Sequence, residues 1–82
     1  MKNNRLEYYL VNGELFCYDS NLCMTFKFSK SWKISQLGIH ELEKCESFQI
    51  LTPQEAYIKS GNLTPTKLLK KYYKILGEDY VE

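Results

Sequence analysis

The chain reads as a small α+β domain, an N-terminal antiparallel β-meander of about three strands, with a fourth to follow, packed with two or three short C-terminal helices. Three observations predict it. Apolar residues alternate from Leu6 to Ile34, Asn12-Gly13 interrupts that alternation, and two Thr-Pro pairs, Thr52-Pro53 and Thr64-Pro65, each open a helix-like stretch. Eighty-two residues hold one core rather than two, so 1–82 is taken as a single domain.

Leu6, Tyr8 and Leu10 supply the first alternating run, and Leu15 and Cys17 resume it after Asn12-Gly13. Asn-Gly between such runs is a strong hairpin signal, because both central residues of a type I′ turn need positive φ. Asp19-Ser20-Asn21 marks a second break, after which Met24, Phe26, Phe28, Trp32 and Ile34 share one parity. Register follows from the pattern. A two-residue turn sets Leu10 opposite Leu15 and Tyr8 opposite Cys17, and an even second loop sets Cys17 opposite Met24. Leu6, Tyr8, Leu10, Leu15, Cys17, Met24, Phe26 and Phe28 then form one core face, whereas an odd loop scatters them over both. Lys30 falls on the apolar parity and marks a bulge or the end of the strand.

Ile39, Leu42 and Cys45 recur every three residues, which predicts a helix of about two turns. Phe48 and Ile50 alternate with Ser47 and Gln49, as in a short fourth strand. Thr52 with Glu55 has the form of a capping box ahead of a helix that stops at Ser60-Gly61-Asn62. The last helix is expected from about Pro65 to Leu76, with Thr64 as its cap and Gly77 in the left-handed position that ends helices. Leu68, Leu69, Tyr72, Ile75 and Leu76 are expected to face inward, and Lys67, Lys70, Lys71 and Lys74 to line the opposite side.

Composition narrows the function classes. Eleven Lys and Arg against ten Asp and Glu give a net charge of +1, which excludes a polyanionic mimic of DNA and a bulk polycation. No apolar run is long enough for a helical membrane span, and Met1-Lys2-Asn3-Asn4-Arg5 leads into Leu6-Glu7-Tyr8-Tyr9 without a signal-peptide core. With no export signal, the three cysteines read as reduced thiols in a cytoplasmic protein.

Chemistry-bearing constellations are few. Cys17, Cys23, His40 and Cys45 match a zinc site in number, but the favoured register sends Cys17 and Cys23 to opposite faces. The single His40 has no partner at nucleophile–base spacing, Glu41, Glu43 and Glu46 read as a solvated face, and no glycine-rich phosphate loop exists. Neither a catalytic residue, a metal nor a cofactor is expected. Phe26 to Lys33 interleaves rings and lysines as single-strand binders do, yet alternation sends the two kinds to opposite faces. A helix-turn-helix centred on Gly61 is only weakly matched, because positions that should be apolar fall on Lys67 and Lys70.

Binding surfaces remain. Seven Tyr, four Phe and one Trp are more ring surface than so small a core can enclose, and the register turns Tyr9, Phe16 and Tyr18 away from the core face. The expectation is a non-catalytic protein-binding module, an inhibitor or adaptor that occludes a larger protein partner through Tyr9, Phe16 and Tyr18. Short Lys-, Asn- and Tyr-rich chains are common in low-GC phages and mobile elements, so an anti-defence inhibitor, anti-CRISPR proteins included, is one form of it. The rival is a nucleic-acid-binding regulator that uses Lys67, Lys70, Lys71 and Lys74, with Lys27, Lys30 and Lys33 extending the patch. A homodimer that buries the aromatic sheet face is the third option.

Overall fold

Asn12 and Gly13 both take positive φ, 50° and 81°, and close the tight turn between β1 (Leu6–Val11) and β2 (Glu14–Asp19). The computed structural model describes residues 6–80; the N-terminal Met1-Lys2-Asn3-Asn4-Arg5 stretch lies outside the described residues. Leu10 pairs with Leu15 and Tyr8 with Cys17, as the alternation requires. A four-residue connection leads to β3 (Met24–Ser29), so the loop is even, but Cys17 lies opposite Phe26 and it is Asp19 that meets Met24. The strands run two residues further than the Asp19-Ser20-Asn21 break implied. Asp19 both ends β2 and accepts hydrogen bonds from the Asn21 and Leu22 amides, at 2.8 and 3.1 Å, turning the chain itself.

The apolar run from Met24 to Ile34 is two strands, and of the two readings of Lys30, a bulge or a strand end, the structure shows the end. Lys30 takes φ 70° and folds β3 back into β4 (Ser31–Ile34), pairing Phe28 with Trp32 and Phe26 with Ile34. Paired residues here have the same parity, so the alternation passes through the turn unbroken. After α1 (Ile39–Glu43), β5 (Phe48–Leu51) pairs with β1 and completes an antiparallel five-stranded sheet in the order β4-β3-β2-β1-β5. The fold is therefore α+β, with strands mostly N-terminal and α2 (Pro53–Lys59) and α3 (Thr66–Leu76) following.

The helices start and stop for local reasons. Glu41 reaches back to the Gly38 amide at 2.6 Å, and Thr52 and Glu55 close a reciprocal capping box at 3.1 and 2.8 Å. Thr64 does not cap α3; it shares a hydrogen bond with the Thr66 hydroxyl, and Pro65 occupies the cap position. At the far end Gly77 takes φ 80°, and the Gly77 and Glu78 amides donate to Lys74 and Tyr73 carbonyls at 3.0 Å each.

Both faces of the sheet are covered. On one, Leu15, Cys17, Phe26 and Trp32 pack with Leu51, Ala56 of α2, and Leu69 and Tyr73 of α3. On the other, Tyr9, Val11 and Phe16 pack under Leu42 of α1. The reason is topological: β4 and β5 lie at opposite edges, and the segment joining them carries α1 across the second face. Tyr73 anchors α3, its hydroxyl donating to the carboxylate of fully buried Asp19 at 2.9 and 3.1 Å from the two oxygens. That contact fixes the rotation of the helix. Ile75 and Leu76, expected inward, are left 69% and 54% exposed.

Candidate interaction surface

Tyr9 and Phe16 are not a surface. They are 4% and 2% exposed, covered by α1, with the Tyr9 ring 4.8 Å from that of Phe48 and its hydroxyl donating to Glu7. Burial holds the Tyr9 phenol above its ordinary pKa, with the Glu7 carboxylate adding to it. Lys27 sits over the Phe16 ring at 5.9 Å and pairs with Glu14 at 3.1 Å, closing the other side. Tyr18 alone stays half-exposed, at a wide depression of about 670 Å³ shared with Cys23, Leu37 and His40. Excess rings on the second face are thus absorbed by a second small core, where the length of the chain predicts a single one; the helix over residues 39–43 covers it.

The four lysines of the last helix are where the periodicity put them. Lys67, Lys70, Lys71 and Lys74 are all exposed; at 100° per residue Lys67, Lys71 and Lys74 lie opposite the buried Leu69–Tyr73 line and Lys70 on its flank. Lys71 also lies 5.7 Å from the centroid of the Tyr72 ring. The cysteines are dispersed: Cys17 is buried among the helices α2 and α3, Cys23 is exposed in the β2–β3 turn, and Cys45 packs on the α1 side. Burial, with the Asp19 carboxylate adding to it, pushes the Cys17 thiol well above its ordinary pKa, which makes it a poor nucleophile.

What the sequence did not reveal is a groove between β4 and α3. The α2–α3 connection crosses Trp32, held because the Leu63 carbonyl accepts from the Trp32 indole N–H at 3.1 Å and lies 2.6 Å from the Ser60 hydroxyl. On the α3 side of this crossing is a groove of about 510 Å³. Trp32, Leu63, Pro65 and Leu68 give it an apolar lining, and Ser31, Lys67 and Lys71 also border it. A second recess of about 320 Å³ lies on the other side of the crossing, toward Tyr8, Pro53 and Tyr57. The Trp32 indole is held by its ring contacts with Phe28 and Tyr8, at 5.4 and 6.2 Å. The groove is therefore built on a rigid wall rather than on loops alone.

Among the described residues no group of three or more His, Cys, Asp or Glu could hold a metal ion, and His40 is an exposed side chain 3.7 Å from Glu43. No helix among the described residues is long and apolar enough to cross a membrane. The chain matches no protein-family model, no curated protein and no solved structure.

Proposed function

We propose that the chain is a non-catalytic protein-binding module that acts by covering part of a larger protein, with its working surface at the β4–α3 groove and not on the α1-covered face. The observation that carries this reading is the groove itself: an apolar floor of Trp32, Leu63 and Leu68 bordered by Lys67 and Lys71, with Ile75 exposed further along the same line of α3. Aromatic residues are enriched at protein interfaces, where they anchor affinity, and charges at the rim act on specificity and association rate. An inhibitor or adaptor role, by steric occlusion, follows from a surface that binds without chemistry.

The four exposed lysines of α3 favour one other reading, contact with a nucleic-acid backbone. Salt separates the two. A backbone-dominated complex weakens steeply with rising salt, whereas binding anchored by apolar groove contacts does so weakly. The purified protein is expected to shift no single- or double-stranded nucleic acid at low salt, and to form a stoichiometric complex with a protein from its host. A low-salt shift that vanishes on replacing Lys67, Lys70, Lys71 and Lys74 with Ser, without any stoichiometric protein partner, would give the function to the rival.

A further inference from the structure

Among the described residues β4 is an open sheet edge, and its backbone polarity can be read directly. The Ser35 amide donates to the Thr25 carbonyl at 2.9 Å, so the odd-numbered residues of β4 bond to β3. The N–H and C=O groups of Trp32 and Ile34 therefore point out of the sheet, and among the described residues none of them has a hydrogen-bond partner. Ile34 is 47% exposed beside them.

The two sides of this edge differ in chemistry. Toward α3 lies the apolar groove walled by Trp32, Leu63 and Leu68. On the opposite side Lys33 stands directly across from Lys27, a like-charged cross-strand pair that destabilises a sheet. Glu14 answers Lys27 at 3.1 Å, and no carboxylate among the described residues answers Lys33.

Resting on the protein-binding reading above, we propose that the β4 edge accepts an extended segment of the partner protein as a sixth strand, and that this segment alternates apolar with acidic residues. Backbone pairing goes to the outward groups of Trp32 and Ile34. Strand spacing of about 4.8 Å brings alternate side chains of the incoming segment over the groove, where apolar groups fit, with Lys67 and Lys71 at the rim. Side chains of the other parity meet Lys33, where Asp or Glu relieves its repulsion with Lys27. A second copy of this chain is disfavoured as the occupant, because pairing β4 with β4 adds Lys33 to Lys33 and brings no acid to either.

The test is selection of linear random peptides against the intact protein, followed by titration of the synthesised winners into the isotope-labelled protein. Expected winners alternate apolar residues with Asp or Glu and shift the Trp32, Lys33 and Ile34 amides most. Ile34→Pro removes an outward N–H that the β3 ladder does not use, so it leaves the fold intact by circular dichroism and abolishes binding. Lys33→Glu, at an exposed site, weakens the acidic peptides about tenfold and turns preference toward Lys-bearing ones. The proposal is overturned if no peptide is enriched, if winners are not acidic, or if methylating alternate peptide nitrogens leaves affinity unchanged. It is also overturned if light scattering shows a dimer that Ile34→Pro dissociates. A partner protein that binds equally to wild type, Ile34→Pro and Lys33→Glu removes this site and leaves the protein-binding reading standing; nucleic acid as the only ligand removes both.

Discussion

Replacing Tyr73 with Phe removes one oxygen from the core and leaves the shape of the side chain unchanged. That oxygen donates to Asp19, whose carboxylate is fully buried on the helix side of the sheet and bonded also to the Asn21 and Leu22 amides. A hydrogen bond to a carboxylate contributes about 1.5–3 kcal/mol, and the carboxylate that loses this one of its donors stays desolvated. About 2 kcal/mol is therefore expected from a total of roughly 4–12 kcal/mol for a chain of this length. With a urea slope of about 1 kcal/mol per molar, the midpoint falls by about 2 M and the melting temperature by about 10 °C. Tyr72→Phe is the control. It lies one residue away, half-exposed, with its ring 6.2 Å from that of Phe26, and its loss of a hydroxyl costs less than about 0.5 kcal/mol. Equal urea midpoints for Tyr73→Phe and Tyr72→Phe would show that Asp19 does not anchor α3 and would refute the reasoning.

Other outcomes follow from the same structure. Thr52→Ala removes half of the α2 capping box and costs about 1 kcal/mol, read as a lower urea midpoint with unchanged slope. Gly77→Ala places a Cβ at φ 80° and costs about 1 kcal/mol; since the space around it is empty, a much larger loss in thermal melting would point to a packing role that the structure lacks. Stability falls in alkali. The folded Cys17 thiol keeps its proton above its unfolded value near 9, so its contribution is complete below about pH 9. Above that the unfolded chain loses a proton that the folded one keeps, at about 1.4 kcal/mol per pH unit. Tyr8, raised chiefly by burial, adds to this from about pH 10. Urea midpoints measured from pH 8 to 10.5 should decline for the wild type and less steeply for Cys17→Ala, and a flat wild-type profile would contradict it.

Much of the fold was legible because local chemistry set it. Asn12-Gly13 determined the first hairpin, the parity of Leu10 and Leu15 its register, and Thr52-Pro53 and Gly77 the helix ends. The break at Lys30 was legible as a bulge or strand end but not as a hairpin, because the pairing conserves parity: Phe28 and Trp32 stay on one face, and only a Lys on an apolar position marks the turn. Thr64 lost the cap to Pro65 because the connection before α3 is fixed by Trp32 and Ser60 at the Leu63 carbonyl, a contact across 31 residues. Local sequence carries no trace of it. The position of α1 was equally hidden. Ile39, Leu42 and Cys45 announce an amphipathic helix, but only the placing of β4 and β5 at opposite edges sends it over Tyr9 and Phe16. The candidate site followed suit: the lysines of α3 were found by periodicity, whereas the groove joins Trp32, Leu63 and Leu68 from three parts of the chain.

Hydrogen exchange of the free protein, and of the protein bound to a selected peptide or to any protein it captures, is the direct check on whether the working surface is the β4–α3 side. Exchange is expected to slow at the outward amides of Trp32 and Ile34, with residues 39–43 of α1 unchanged. Protection confined to α1 and its surroundings, with Trp32 and Ile34 exchanging as in the free protein, would contradict it.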